Sequence, residues 1–290
     1  MTTPNYTAGL IAAVAAAVLY GGAPVLQARV AGTAAPAHGV GLGLVWSLLR
    51  RPVWLLAFVG EVGGFLVEAY AFSVAPTALV APIASCDMLV FVAGASLMFR
   101  RVPSRVGVAG AVAATAGAVT LAVAAQHARP GDPASGAVLI WLLVGSVVVT
   151  AALVAVAGGV QRAAPGAVAV SLAAGVTYGV ATLATRQLGL TFRLDSIDRL
   201  FTTPAVYVLI VCSVLAIALL QRGLQLGPLI AFPIVSGVSA FVPVVVGFTV
   251  LGDQAPGGGL RVLLVVALAL IACGLVLMSR DRHAALPTDA

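Results

Sequence analysis

Of the 290 residues, 61% are hydrophobic and only 8% are charged, and the mean hydropathy is +1.14. That leaves too little polar surface for a water-soluble domain of this length and makes the chain a polytopic membrane protein. Every basic residue behind the net charge of +6 is an arginine, placed in short connections and at segment ends. Such a distribution excludes a nucleic-acid-binding face and assigns the arginines to topology and to contacts with anionic lipid.

The absence of lysine beside so much Ala, Val and Gly fits a high-GC bacterial genome. Cys86, Cys212 and Cys273 stand singly in different apolar stretches, with no Cys-x-x-Cys spacing, and read as small packing residues.

A hydropathy window of about 19 residues predicts spans near 8–28, 53–75, 77–99, 105–125, 137–157, 166–186, 204–222, 228–250 and 261–279. The first is read as a retained helix rather than a leader, because residues 1–8 carry no positive side chain and the apolar run continues to Leu26. Segment 30–51 holds the apolar run Val40–Leu49, too short to cross, and reads as a re-entrant or interfacial piece. Segment 187–203, with Arg193, Asp195, Asp198 and Arg199, is the matching polar connection of the second half.

With these nine crossings, Arg29, Arg50, Arg51, Arg100, Arg101, Arg105, Arg162, Arg222, Arg280 and Arg282 share one side. Arg129, Arg186, Arg193, Arg199 and Arg261 share the other. The imbalance predicts an outside N-terminus and a cytoplasmic C-terminus in a bacterial inner membrane.

The chain also resembles itself. Leu19-Tyr20-Gly21-Gly22-Ala23 is echoed by Thr177-Tyr178-Gly179-Val180-Ala181, and the run Ala75–Ile83 by Gly227–Ile234. Both echoes come in the same order, and an odd displacement in crossings makes the halves inverted, a common construction of secondary transporters. The expected fold is therefore an all-α membrane protein of about nine transmembrane helices in two inverted repeats plus a linking helix. Residues 1–125 form the first repeat, with four spans and the 30–51 segment. Residues 126–164 hold the linking helix, 165–280 the second repeat with four spans, and 281–290 a cytoplasmic tail.

Glu61, Glu68 and Asp87 are the acidic residues that fall deep within hydrophobic segments. A carboxylate at the bilayer centre costs about 2.5–3.5 kcal/mol on insertion scales, so such groups usually face a pathway. Glu61 and Glu68 differ by about 20° around one helix and about 10 Å in height. Converging with Asp87, they are a candidate site for a divalent cation held by oxygen ligands; alternatively one buried acid exchanges protons and couples transport to a gradient.

Pro24, Pro76, Pro82, Pro228 and Pro233, with Pro243 beyond them, are candidate helix breaks that free carbonyls toward a cavity. Tyr20 and Tyr178 are candidate gate or substrate contacts, and Gln221 and Gln225, beside Arg222, candidate amide contacts in the pathway. Interfacial anchoring explains the same tyrosines and glutamines. Neither a Walker A sequence nor His-Glu-x-x-His nor Gly-x-Ser-x-Gly occurs, so the chain does not read as an enzyme, and no cofactor is implied.

Gly60-Glu61 followed by Ala69-Tyr70-Ala71-Phe72-Ser73-Val74-Ala75-Pro76-Thr77-Ala78-Leu79-Val80-Ala81-Pro82-Ile83 resembles the drug/metabolite transporter superfamily (EamA-like), and in particular its NIPA-type magnesium transporter branch. Leu251-Gly252-Asp253 is similar to that superfamily's Leu-Gly-Glu after the penultimate helix, whereas the matching place in the first half reads Phe99-Arg100-Arg101. The resemblance implies secondary transport by alternating access. Its leading form is proton-coupled efflux of a metabolite or drug-like compound; alternatives are a NIPA-like Mg²⁺ transporter and a non-transporting lipid flippase subunit or membrane partner. The expected partners are the lipid bilayer and a small-molecule or ion substrate; the sequence leaves the oligomeric state open, with a dimer among the options.

Overall fold

Inside a bilayer no water takes up backbone hydrogen bonds, so a spanning segment must satisfy its amides internally, and an Ala-, Val- and Leu-rich chain does so as helix. A computed structural model describes residues 6–32, 42–75, 77–100, 104–125, 135–159, 163–191, 203–254 and 257–280. Among these residues all regular structure is helical. In chain order the helices are α1 (Tyr6–Gly32), α2 (Leu42–Leu49), α3 (Pro52–Val74), α4 (Thr77–Ala84), α5 (Asp87–Phe99), α6 (Arg105–Ala125), α7 (Gly136–Gly159), α8 (Ala163–Thr191), α9 (Pro204–Leu226), α10 (Pro228–Thr249) and α11 (Gly259–Ser279).

Local chemistry sets several of the boundaries. Proline, with no N–H to lose and φ already helical, opens α3, α9 and α10 as Pro52, Pro204 and Pro228. Serine hydroxyls cap α6 and α7, Ser104 accepting from the Gly107 N–H at 3.0 Å and Ser135 from the Val138 N–H at 3.4 Å.

Eight helices, α1, α3 and α6 to α11, are long and apolar enough to cross a membrane. The remaining predicted span, 77–99, is not one helix. It divides into α4 and α5 at Ser85-Cys86, where the Cys86 N–H turns back to the Ile83 carbonyl at 3.0 Å. An all-α polytopic membrane protein of about nine crossings stands, with one crossing broken.

Helix α2, at 8 residues, is about 12 Å long against a hydrocarbon core of about 30 Å, so it cannot span. Its Leu48 is buried with Val30 and Trp54, while Trp46 is exposed with the Arg50 guanidinium 5.5 Å from its ring centroid. That is the composition of a membrane-interface anchor. Residues 33–41 of the predicted re-entrant segment, 126–134 of the linker, 192–202 of the polar connection, Pro76 and the 281–290 tail lie outside the described residues.

The packing of the first half recurs in the second. α1 packs on α3, α4 and α5 as α8 packs on α9 and α10, and α6 meets α4 and α5 as α11 meets α10. The halves join through α6 against α11, α5 against α10, and α1 against α9. The α6–α11 seam is tight because it is lined with small residues: a Cβ on Gly117 would lie 2.8 Å from the Ala267 carbonyl oxygen, and one on Gly274 2.6 Å from that of Gly110.

Within this plan α8 is central, with 72% of its apolar window buried, whereas α3 and α7 have 17% each and present their faces to lipid. The main core gathers Val25 of α1, Phe91 of α5, Val170 and Ala174 of α8, Leu219 of α9 and Ile234 of α10.

Candidate functional site

Three elements of the first half and three of the second, with Leu220 of α9 among them, line a cavity of about 660 Å³. α3 contributes Glu61, Phe65 and Glu68, α1 contributes Tyr20, and α5 contributes Asp87. From the second half come Tyr178 and Thr182 of α8, and Phe232, Ser236 and Ser239 of α10. A smaller space of about 280 Å³ shares Tyr20, Glu68, Asp87, Ser236 and Ser239 and extends past Ser85 to Ala118. Among the described residues, none that lines either space is basic.

Each acid has a local reason for its place. The break at Ser85-Cys86 makes Asp87 the first residue of α5, where unpaired N–H groups and the helix dipole favour a carboxylate. Its Oδ1 accepts from the Met88 N–H at 2.6 Å. Glu68 accepts at Oε2 from the Tyr20 hydroxyl at 3.0 Å, which ties α3 to α1 at the cavity wall. Glu61 lies two turns below Glu68 on α3 and lines the same cavity.

The close approach of α1 to α5 depends on Gly21, because a Cβ there would run into the Asp87 carbonyl oxygen and Val90. In the second half Gly179 does the same for α8 and α10, where a Cβ would lie 2.6 Å from that of Val242. The two Tyr-Gly pairs thus occupy matching positions, with both tyrosines lining the cavity beside a glycine that lets the next helix in.

The structure brings together Glu61, Glu68, Asp87, Tyr20 and Tyr178, and it corrects three other expectations. The metal site does not form: among the described residues no three His, Cys, Asp or Glu side chains come close enough to hold an ion. The height of about 10 Å between Glu61 and Glu68, two turns apart on one helix, is the reason.

Gln221 and Gln225 do not line the cavity. Gln221 is fully buried in the seam between α9 and α1, where its Nε2 donates to Gln27 Oε1 at 2.6 Å. Gln225 accepts from Arg222 at 3.0 Å and donates to the Ala31 carbonyl at 3.1 Å. Both glutamines point to a neighbouring helix because that seam offers partners where the lipid-facing side offers none.

The prolines mostly do not break helices. Pro24 lies inside unbroken α1, and Pro233 and Pro243 inside unbroken α10; Pro228 opens its helix, and α4 continues through Pro82. A proline removes one intrahelical bond, which helix-packed membrane segments tolerate, so the real interruption falls at Ser85-Cys86.

Sequence reasoning missed Phe65, Thr182, Phe232, Ser236 and Ser239 as cavity residues. The one signal available was the serine pair at helical spacing on α10, a polar stripe in an otherwise apolar run. Beyond the cavity, Arg186 near the end of α8 makes a bidentate ion pair with Asp253, at 2.9 and 2.6 Å, tying α8 to the connection between α10 and α11.

The chain matches no family model, no curated protein and no solved structure.

Proposed function

We propose that this protein is a secondary transporter that moves a small solute across a bacterial inner membrane by alternating access, as proton-coupled efflux of a metabolite or drug-like compound. One observation carries the reading: a cavity of about 660 Å³ within the helix bundle is lined by three carboxylates and two tyrosines, with no basic residue among the described ones. Carboxylates placed among membrane-spanning helices mark ion and proton paths more often than structural contacts. The volume suits a drug-sized or smaller solute.

The recurrence of one packing plan in both halves supports the inverted-repeat architecture, whose binding site lies at the interface of the repeats. Membership of the drug/metabolite transporter superfamily rests on the Gly60-Glu61, Ala69–Ile83 and Leu251–Asp253 motifs. The arginine distribution supports a cytoplasmic C-terminus.

Proteoliposomes loaded with a pH-sensitive dye and challenged with a panel of metabolites and drug-like solutes test this directly. The expected result is a solute-induced pH change that Glu68→Gln abolishes. Flux without proton movement, or a coupling that survives Glu68→Gln and Asp87→Asn together, sinks the proton-coupled reading; Mg²⁺ flux in the same vesicles with no organic substrate replaces it with cation transport.

A further inference from the structure

The three carboxylates of the cavity do not stand together. Phe65 follows Glu61 by four residues and precedes Glu68 by three, so acid, ring and acid share one face of α3, and all three line the cavity. Asp87 belongs with the upper acid: it and Glu68 line both the larger and the smaller space, whereas Glu61 and Phe65 line only the larger. The cavity therefore has two acidic poles, Glu68 with Asp87 and Glu61 alone, about 10 Å apart along α3.

The two ends differ in their surroundings. The upper pole has Tyr20, Ser236 and Ser239 beside it in both spaces. The part that only the larger space reaches holds Glu61 among mainly apolar side chains, Phe65, Tyr178, Leu220, Phe232 and Val235. Each upper acid has one oxygen engaged within the protein, Glu68 Oε2 by the Tyr20 hydroxyl at 3.0 Å and Asp87 Oδ1 by the Met88 N–H at 2.6 Å. The second oxygen of each is left for a ligand.

Carboxylates in such a space call for compensating charge, and among the described residues no basic side chain lines it. A single metal ion does not reach both poles, because the acids stand too far apart to share it. A solute with one cationic group answers one pole and leaves the other. A linear solute with a cationic group at each end answers both, and its methylene chain suits the apolar stretch, where the rings also attract the ammonium groups through their faces.

We propose that the cavity binds a linear aliphatic dication, an α,ω-diamine or polyamine, with one ammonium group at Glu68 and Asp87, the other at Glu61, and the chain along Phe65. This rests on the transport reading and names its substrate class. It also fits that reading by charge: a dication against three carboxylates leaves one acid over for the proton.

The spacing makes the proposal a matter of length. Hexamethylenediamine holds its nitrogens about 8 Å apart, at roughly 1.2 Å per bond along an extended chain, which fits between poles about 10 Å apart. Ethylenediamine is too short to touch both.

The test uses the full chain in lipid nanodiscs and reads apparent affinity from the rise of the thermal midpoint with ligand concentration. The probes are ethylene-, tetramethylene-, hexamethylene-, octamethylene- and dodecamethylenediamine, with hexylamine, tetraphenylphosphonium and Mg²⁺ as alternatives. The expected result is a maximum at the hexamethylene or octamethylene length, about tenfold or more above hexylamine, the scale of one added charge-assisted hydrogen bond. Glu61→Gln brings hexamethylenediamine down to the level of hexylamine. Glu61→Asp withdraws that pole by one methylene and moves the maximum to a longer chain, a shift that a merely structural role would not produce.

Affinity that is flat with chain length, a maximum that survives Glu61→Gln, or stabilisation by tetraphenylphosphonium or Mg²⁺ alone overturns the two-pole site. Flux in matched proteoliposomes separates this from the transport reading. Length-selective binding without flux keeps the site and removes the transporter, and proton-coupled flux of solutes that include no diamine does the reverse.

Discussion

Where the first half carries Asp87 at the head of a broken crossing, the second half carries Ser239 inside unbroken α10, and both residues line the same cavity. Likewise α3 brings Glu61 and Glu68 to that cavity while its counterpart α9 brings Leu220 and turns its glutamines into the seam. The packing plan is shared, so the difference does not serve to hold the bundle together. It puts charge on one wall and small polar or aromatic groups on the other. On the transport reading, a wall of carboxylates facing a wall without them lets one side change protonation state while the other keeps its own.

The largest expected effect is on the charged wall. Glu68→Gln keeps the volume and the Tyr20 contact but cannot exchange a proton, and solute-driven proton flux in proteoliposomes should fall by about 10²-fold or more, the scale of losing a positioned acid–base group. The matched change on the other wall, Ser239→Ala, should leave proton coupling in place and alter only apparent solute affinity. If both variants lose coupling equally, the asymmetry has no functional meaning.

Much of this contrast was legible in the sequence. Spans follow from hydropathy, and the three acids stand out because they interrupt apolar runs. The break before Asp87 was not legible, because Ser85 and Cys86 are ordinary helix residues and the visible breakers, Pro24 and Pro233, sit inside helices that continue past them. The direction taken by Gln221 was hidden for another reason. When a helix is apolar all round, its sequence does not say which face meets protein and which meets lipid.

Next in size is the seam both halves share. Since a Cβ on Gly117 would lie 2.8 Å from the Ala267 carbonyl oxygen and from Ile271, Gly117→Leu must push α6 and α11 apart. The expected loss is about 1–3 kcal/mol, the usual cost of overpacking, read as a lower midpoint in thermal or detergent denaturation. Gly145 of α7, with open space around it, accepts the same substitution without loss. An equal effect at both sites would mean that close approach at the α6–α11 seam is not what stabilises the pairing.

A smaller effect separates the halves at the ends of their matching helices. The second half secures the connection after α10 with the Arg186–Asp253 pair, whose side chains are 27% and 18% exposed. Arg186→Gln and Asp253→Asn in a double-mutant cycle should show coupling of about 1 kcal/mol, at the upper end for partly exposed pairs. Salt should weaken it. A coupling of zero would mean that the Arg186–Asp253 pair does not stabilise this connection.

The smallest expected effect lies at the same turn and concerns backbone rather than charge. Arg100 follows α5 with φ 51°, and Gly252, at the matching place after α10, has φ 69°. Both halves therefore ask for a left-handed residue there, and only one supplies glycine. A side chain in that region costs about 1–2 kcal/mol, offset in part by the greater freedom glycine has when unfolded. Arg100→Gly should therefore stabilise by about 0.5–1 kcal/mol, and Gly252→Ala destabilise by a similar amount, both read from denaturation midpoints. A cation at a helix C-terminus complements the dipole, which gives arginine a reason to stand at the first turn. If Arg100→Gly gains stability but scrambles the orientation of reporter fusions at the C-terminus, then the strain at Arg100 is maintained for topology, and the two turns differ by function rather than by drift.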